Sequence, residues 1–214
     1  MPPCPPPPEE RQPIGKAIPP SAPGFYVGVN AGGVSGSSLW IEPIDPGFGV
    51  SGGLAGGTLG YEMPAGPWRF GVETDIAGGS ISGSTTVNCF TPCRTSSTFL
   101  ATVRGRVGYD FNPVTVYATG GLAVGDVNAH VGAFPGAAAT QAGWTAGGGL
   151  RLPLSALASG LPDGVTGKIE WLHVDLGSPQ VCSPATCGGV ANVTSRTNVF
   201  RLGINIPLSA LVPR

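Results

Sequence analysis

The chain has 214 residues, of which 36 are glycine, 23 are proline and only 11% are charged, and its formal net charge is −1. This length suits one all-β domain, and the near-zero charge without a basic run excludes a nucleic-acid partner held by electrostatics. No run of roughly 20 consecutive apolar residues occurs, so a membrane-spanning helix is excluded, whereas a spanning β-strand of about ten residues is not.

Residues 1–23, MPPCPPPPEERQPIGKAIPPSAP, are rich in proline and have no hydrophobic periodicity. The composition predicts an extended, polyproline-like spacer, and an SH3-type ligand is the less favoured alternative. The segment lacks the apolar stretch of a signal peptide. This indicates either a mature or recombinant chain or a protein that is not exported.

From residue 24 onward, apolar and other residues alternate with a period of two, which is typical of β-strands. The clearest example is the pair FLATVRGRVGYDF and VTVYATGGLAV, which is interrupted at Asn112-Pro113, where a strand cannot continue. Eight strands are predicted, at about 24–32, 53–62, 68–76, 99–111, 114–124, 143–152, 165–176 and 198–206.

The predicted connections alternate in length. Short links follow the second and fourth strands, whereas long links rich in Gly, Ser and Thr are predicted at 33–52, 77–97, 125–141 and 177–197. The link between the sixth and seventh strands, 152–164, is longer than this alternation requires. An even strand count with long loops at one end is typical of outer-membrane barrels. The predicted fold is therefore all-β, an eight-stranded antiparallel up-and-down transmembrane β-barrel.

Charged residues share the face of each strand that lies opposite the apolar face. In a transmembrane barrel that face is the lumen, where unpaired charges are costly, so a network of ion pairs in a filled polar lumen is predicted, without a wide channel. The predicted lumen charge network comprises six basic and four acidic residues: Arg69, Glu73, Asp75, Arg104, Arg106, Asp110, Arg151, Lys168, Glu170 and Arg201.

Aromatic residues near strand ends predict interfacial girdles at the lipid boundary. The lipid-interface aromatics are Trp68, Tyr109, Phe111, Trp144 and Trp171, and the same girdles include Trp40, Tyr26 and Tyr61. A soluble β-sandwich or barrel, in which the aromatic faces pack against one another, is the alternative.

Four of the five cysteines form two close pairs, Cys89 with Cys93 and Cys182 with Cys187. Two local disulfides in an oxidising compartment are predicted. A four-cysteine zinc site is less favoured, because three and four residues separate the cysteines where zinc knuckles usually have two. Cys4 is left without an assigned partner.

Two short motifs fit the patterns of known functional sites, but neither is followed by the helix that such a site needs. Residues 47–52 fit G-x-G-x-x-G with Glu73 downstream, and residues 49–53 fit G-x-S-x-G with His130 and His173 downstream. Neither motif opens a helical pattern, so neither a nucleotide site nor a hydrolase nucleophile is predicted. We expect no catalytic residue, cofactor or metal. The histidines are interpreted as loop or rim residues, with haem ligation as an alternative.

Short segments on every predicted strand carry a resemblance to a known family. They are GFYVGVNAG (24–32), GGTLGYE (56–62), WRFGVETDI (68–76), TVRGRVGYDF (102–111), VYATGGLAVGDV (116–127), GWTAGGGL (143–150), KIEWLHVDLG (168–177) and FRLGINI (200–206). With these segments the chain resembles the Omp25/Omp31 family of eight-stranded outer-membrane proteins of α-proteobacteria, within the superfamily of small OmpA-like barrels.

The resemblance implies a bacterial outer-membrane location, with extracellular long loops and periplasmic termini. It implies a structural, non-enzymatic barrel that serves envelope integrity and cell-surface interactions, with outer-membrane lipid and lipopolysaccharide as partners. Some relatives bind haemin or host surfaces, which would make 77–97 and 177–197 ligand-binding loops. A narrow pore is a further alternative.

Three regions are expected from these patterns: the Pro-rich segment 1–23, the barrel 24–208 and the tail 209–214. The Pro-rich segment is a candidate for self-association or for contacts with other envelope proteins. Members of the family usually end in an aromatic residue, whereas this chain continues to Arg214. The tail is either native or a protease-tag scar.

Overall fold

The computed structural model describes residues 23–41, 47–89, 91–156, 164–178, 180–189 and 191–211. The Pro-rich segment, apart from residue 23, and residues 212–214 of the tail lie outside the described residues. The elements are β1 (Gly24–Ile41), β2 (Gly47–Ala65), β3 (Trp68–Thr85), β4 (Cys93–Asp110), β5 (Thr115–Val131), β6 (Ala137–Pro153), β7 (Thr166–Asp175), β8 (Gln180–Cys182), α1 (Pro184–Cys187) and β9 (Ala191–Pro207). Short 3-10 turns follow β6 and β9, and no helix among the described residues is long and apolar enough to span a membrane.

Eight long strands close into an antiparallel barrel. Neighbours in sequence pair from β1 to β7, β7 pairs with β9, and β9 pairs with β1 from Tyr26–Pro207 to Ile41–Asn192. The three-residue β8 adds only a short pairing at the start of β9. The predicted eight-stranded up-and-down barrel is confirmed.

The two ends of the barrel differ. The turn end carries the start of β1, the end of β9 and the short connections 66–67 and 111–114. The loop end carries the connections 86–92 and 132–136, together with the segment 176–190 that contains β8 and α1.

The strands extend farther toward the loop end than predicted. β3 continues to Thr85 and β4 begins at Cys93, so most of the predicted loop 77–97 is strand. β9 begins at Ala191, inside the predicted loop 177–197. These loop boundaries were wrong because the segments carry small or polar residues on the outward face. They therefore lack the apolar alternation by which strands are recognised.

The outward face of the barrel changes character along the strands. Its turn-end part, which we call the apolar band, carries large hydrophobic side chains that are each at least 45% exposed: Phe25, Val29, Leu59, Trp68, Phe70, Val72, Ile76, Val103, Leu122, Trp144, Trp171, Phe200 and Leu202. On β3 this band runs from Trp68 to Ile76. At about 3.4 Å per residue and a tilt of about 45°, this corresponds to roughly 19 Å of height.

Above the apolar band, strands β1–β3 carry a flat face of small residues that we call the serine-glycine face. It consists of Gly33, Ser35, Ser37, Gly47, Gly49, Ser51, Gly53, Gly78, Ser80, Ser82 and Ser84, all exposed. β1 then ends on exposed Leu39 and Ile41. No acyl chain is needed to cover serine and glycine, so this part of the wall suits water or polar headgroups.

The interior of the barrel also changes polarity along its length, but in the direction opposite to that of the outer face. Its turn-end half is charged and polar, whereas its loop-end half holds an apolar core that includes Val34, Val50, Leu54, Ile81, Val127, Leu172, Val174, Val193 and Val199. The turn-end half is thus apolar outside and polar inside, and the loop-end half is built like a soluble β-barrel. The predicted polar lumen describes the turn-end half, and the apolar core was not predicted.

Two aromatic residues assigned to the girdles lie inside the barrel. Trp40 is 4% exposed, and its indole N–H donates to Thr95 Oγ1 at 3.0 Å. Tyr26 is 8% exposed and donates to Glu73 Oε2 at 2.8 Å. The girdle assignment was wrong for both, because they occupy the inward phase of β1, whereas Phe25 on the outward phase is exposed.

Candidate functional site

The centre of the turn-end half holds a cluster of buried charges, which we call the central cluster. Four cations face three carboxylates, and none of these side chains is more than 8% exposed: Arg104, Arg106, Lys168 and Arg201, with Glu73, Asp75 and Glu170. Charges at this depth are stable only when they are paired and hydrogen-bonded.

Arg104 joins opposite sides of the barrel. From β4 it donates to Glu73 on the neighbouring β3 at 2.5 Å and to Glu170 on β7 at 3.0 Å, and it also bonds Asp75. Strands β3 and β7 lie four places apart in a ring of eight, so they face each other across the lumen. These contacts therefore close the lumen from wall to wall.

Glu73 accepts hydrogen bonds from all sides of the central cluster except that of Arg201. It accepts from the Tyr26 hydroxyl and from Arg106, both at 2.8 Å, and from Lys168 Nζ at 2.9 Å, in addition to Arg104. Four donors from three strands, β1, β4 and β7, thus converge on one carboxylate.

Two tyrosines reach this cluster because the adjacent strands carry glycine at the inward position. A Cβ on Gly60 would lie 2.2 Å from the Tyr26 ring, and one on Gly149 would lie 2.7 Å from the Tyr117 hydroxyl. Tyr117 donates to Glu170 at 3.1 Å, and the Arg106 guanidinium lies 3.9 Å from the centroid of its ring. The glycines therefore make space for side chains that complete the network.

A second network closes the turn end. Arg69 binds Asp110 at 2.7 Å and Glu62 at 3.1 Å, Arg151 binds Glu62 at 2.6 Å, and Thr115 donates to Asp110 at 2.6 Å. These side chains are partly buried. The chain of pairs lies across the mouth of the barrel at this end.

The two networks contain all ten charged residues assigned to the lumen from the sequence. Sequence reasoning missed Glu62 and the uncharged partners Tyr26, Asn30, Thr58, Thr102, Thr115 and Tyr117. Glu62 was overlooked because β2 is mostly glycine there. The alternation of β2, extended by two residues from Gly60, would have placed it inside.

Among the described residues, the loop end is covered by the segments 86–89, 91–92, 132–136, 176–178 and 180–189, which we call the loop-end cap. Gly132 N–H donates to Pro92 O at 3.1 Å, and Gly136 N–H donates to Thr186 O at 3.0 Å, so the segments are linked. The disulfides Cys89–Cys93 and Cys182–Cys187 are both present, so these sulfurs are not metal ligands. Within the described part of the chain, no group of three or more His, Cys, Asp or Glu is arranged to hold a metal.

Little space remains beneath the cap. A cavity of about 20 Å³ is lined by Val50, Ile81, Thr95, Leu100, Val174 and other residues of the loop-end half. That volume accommodates about one water molecule.

The five predicted interface aromatics face outward. Trp68, Tyr109 and Phe111 cluster near the turn end. The ring centroids of Trp68 and Tyr109 are 5.1 Å apart, and those of Tyr109 and Phe111 are 4.9 Å apart. Trp144 lies 5.4 Å from His173, and Trp171 is 48% exposed in the apolar band. Their contact with lipid stays a prediction.

The remaining motif residues do not form a common site. His173 shares a hydrogen bond of 3.0 Å with Asn198, whereas His130 is exposed on β5 opposite Arg94. The glycine motif at 47–52 lies within β2 and not at a helix start. The arrangement therefore provides neither a phosphate cradle nor a nucleophile elbow.

Asp126 lies beside an irregularity in the pairing of β4 with β5, above the apolar band. The register of the two strands shifts there between Ser96 and Leu100. It accepts the backbone N–H groups of Thr98 at 2.8 Å and Phe99 at 2.7 Å. Burial raises the pKa of Asp126, but these hydrogen bonds outweigh burial and hold the pKa below its usual range.

We expect Asp126→Ala to lower the free energy of unfolding by about 1 kcal/mol at neutral pH. Because the folded pKa is depressed, this contribution is present above the ordinary aspartate pKa of about 3.9 and is lost as the pH falls through the folded value. Urea unfolding in detergent at neutral and acidic pH measures both effects. Thr140→Ala, on the facing position of β6, is the control, and an undiminished effect of Asp126→Ala in acid would contradict the prediction.

The comparison with known proteins agrees with this architecture. The family described as "Outer membrane protein beta-barrel domain" matches residues 19–205. The chain is 30% identical over 118 residues to the 22 kDa outer membrane protein of Rhizobium leguminosarum bv. viciae, which covers 54% of this chain and 49% of the relative. It is 33% identical over 106 residues to the 25 kDa outer-membrane immunogenic protein of Brucella melitensis biotype 1, covering 50% and 45% respectively.

The chain spans about half the length of the curated relatives it matches. Among solved structures it is similar to Neisserial surface protein A, with a TM-score of 0.49 and 15% identity over 85% of this chain and 96% of that chain. Since the family match covers most of the chain and the described strands close into a barrel with an apolar outer band, the chain belongs to the outer membrane protein beta-barrel domain family and is a protein of the bacterial outer membrane.

Proposed function

We propose that this protein is a structural, non-enzymatic barrel that supports the integrity of the outer membrane and presents a closed, rigid end at the cell surface. The proposal rests on one observation, which is that both halves of the lumen are filled by side chains. Arg104 bridges β3 and β7 in the turn-end half, and an apolar core occupies the loop-end half. In outer-membrane barrels the long loops face outside, so the loop end would be extracellular.

A filled lumen predicts a membrane protein without conductance. In planar bilayers we expect no ohmic current steps, because the central cluster occupies one half of the lumen, the apolar core occupies the other, and the cavity beneath the cap holds about one water molecule. Heat-dependent migration on a gel, recorded on the same preparation, shows that the barrel is folded. A steady conductance from folded protein would favour a narrow pore and would contradict the proposal.

The envelope role requires a test in cells. A strain that lacks the protein is expected to become more sensitive to detergents and to large antibiotics, and the full chain should restore resistance. A folded variant without the two loop-end disulfides should restore it equally, because membrane support rests on the barrel. Unchanged sensitivity in the deletion strain would remove envelope integrity as the function.

A surface-binding role is the second candidate, and two observations favour it. The loop-end half rises above the apolar band, and the cap exposes Val87 (69%) and Phe134 (42%). We propose lipopolysaccharide as the lipid around this half.

Haemin is less favoured, because His130 and His173 lie on separate strands. A haemin titration of the parent, His130→Ala and His173→Ala tests it, and a histidine-dependent spectral shift would reverse this preference.

A further inference from the structure

The outer wall of the loop-end half carries two neighbouring basic side chains, Arg94 on β4 and His130 on β5, which we call the basic pair. The two residues are directly opposite each other in the strand pairing, and both are exposed. They point away from the interior, because Cys93, Thr95 and Ala129 beside them are buried. Directly opposite residues of an antiparallel pair have Cβ atoms about 4.5–5.5 Å apart, so one ligand can contact both side chains.

No carboxylate neutralises the basic pair in the part of the chain that the structure describes. The side chains of Arg94 and His130 have neither an ion pair nor a hydrogen bond there. The outer face of β3, β4 and β5 holds one described carboxylate, Asp126, whose oxygens accept two backbone N–H groups and the amide of Asn128. A guanidinium without a carboxylate is available to an anion, and its planar fork matches the oxygens of a phosphate.

The outer wall of the described residues carries one other arginine, Arg196 on β9, and it provides a contrast. Its side chain is 62% exposed, but its Nε donates to Asp175 Oδ2 at 2.9 Å, so its charge is balanced. Strands β4 and β9 lie four places apart in the ring of eight, which puts Arg94 and Arg196 on opposite sides of the barrel. The uncompensated positive charge is therefore confined to the side of the basic pair.

The basic pair lies beyond the region that suits acyl chains. The last large apolar residue on the outer face of β4 is Phe99, and Arg94 lies five residues farther toward the loop end. At about 3.4 Å per residue and a tilt of about 45°, this corresponds to roughly 12 Å of height. The neighbouring strand β3 places Ser84 opposite Arg94 and Ser82 two residues before it, both on the serine-glycine face. Hydroxyl groups that suit a sugar thus adjoin the basic pair.

We propose that the basic pair binds a phosphate group on a sugar of lipopolysaccharide. Arg94 donates two parallel hydrogen bonds to two phosphate oxygens, a ring N–H of His130 donates to the third, and Ser84 contacts the sugar. A phosphate suits both side chains because it offers three acceptor oxygens, whereas the arginine fork alone occupies both oxygens of a carboxylate. The inference rests on lipopolysaccharide as the lipid proposed above, and it assigns the contact to one side of the barrel.

The height of the basic pair favours lipopolysaccharide over phospholipid. The phosphate of a phospholipid lies next to its acyl chains, whereas the phosphorylated sugars of lipopolysaccharide extend farther out. A position roughly 12 Å beyond Phe99, beside a face of serine hydroxyls, therefore suits a sugar phosphate.

The test measures lipid binding to the folded full chain in neutral detergent by native mass spectrometry, with heat-dependent gel migration as the check of folding. The probes are a rough-type lipopolysaccharide with phosphorylated sugars, the same material after chemical removal of its phosphates, and phosphatidylglycerol. The variants are Arg94→Gln and His130→Gln. The matched control is Arg196→Gln/Asp175→Asn, which removes the other outer-wall arginine together with its carboxylate.

We expect Arg94→Gln to lower the affinity for lipopolysaccharide about tenfold, because it loses a charge-assisted bidentate contact. His130→Gln should cause a smaller loss, and the control should bind as the parent does. Removal of the phosphates should reduce the affinity of the parent to that of Arg94→Gln. Phosphatidylglycerol should bind the parent and Arg94→Gln equally.

Three results would overturn this site while leaving lipopolysaccharide as the partner. They are equal affinity of the parent and Arg94→Gln, an equal loss in the control, and an Arg94-dependent affinity that survives removal of the phosphates. An equal loss for phosphatidylglycerol would replace the sugar phosphate by a phospholipid. If the parent binds lipopolysaccharide no better than phosphatidylglycerol, both the site and the proposed lipid are wrong. The structural role is tested separately, because it rests on the filled lumen and its lack of conductance.

Discussion

Glu73→Gln is expected to lower the free energy of unfolding by about 3–5 kcal/mol. The substitution keeps the shape of the side chain but removes the charge that Arg104, Arg106 and Lys168 share. The central cluster has four cations against three carboxylates, and the variant has four against two. Urea unfolding in lipid vesicles, followed by tryptophan fluorescence, measures the loss.

The excess of cations also predicts an order among variants. Lys168→Met leaves three cations against three carboxylates, so it should cost less than Glu73→Gln, and the double variant should be more stable than Glu73→Gln alone. Asp175→Asn is the surface control, because its partner Arg196 is 62% exposed and such pairs contribute at most about 1 kcal/mol. Equal costs for Glu73→Gln and Lys168→Met would contradict the charge argument.

Ile76→Arg is expected to cost about 2–4 kcal/mol, because it places a guanidinium on the lipid face of the apolar band. Ser82→Arg is the matched control on the same strand and the same outward face. It lies on the serine-glycine face, where we expect a cost below about 1 kcal/mol. Reversible unfolding from vesicles measures both variants.

This pair of variants locates the membrane boundary on β3. If the boundary lies between Ile76 and Ser82, only the first substitution destabilises the barrel, and its cost should disappear in detergent that adapts to the protein surface. Equal costs would show that lipid covers the serine-glycine face as well, and the interpretation of the loop-end half as an extramembrane barrel would fail.

The inverted polarity of the two halves explains how a short chain forms a long barrel. In the apolar band the outer face suits lipid, so the interior must pair its charges. Beyond the band the outer face suits water or polar headgroups, and burial of Leu172, Val174 and Val199 stabilises the strands as in a soluble protein. The cap then covers the end of this apolar core.

Local sequence determined the strands of the apolar band, their order and the faces of their residues, because alternation with a period of two is a property of neighbouring residues. On β3, the assignment of residues to opposite faces needed no tertiary information. One face carries Trp68, Phe70 and Val72, and the other carries Arg69, Glu73 and Asp75. The alternation faded above the band, where serine and glycine face outward, so the ends of β3 and β9 were missed.

Only the tertiary structure decided which side chains meet. Arg104 and Glu170 are 66 residues apart in sequence and pair only because the barrel is closed and narrow enough for one side chain to reach the opposite wall. The pairing of β1 with β2 brings Tyr26 over Gly60, and closure places Trp40 and Cys187 in one apolar core. Alternation assigns a residue to the inside of the barrel, but its height and its partners depend on strand register, which is set jointly by all eight strands.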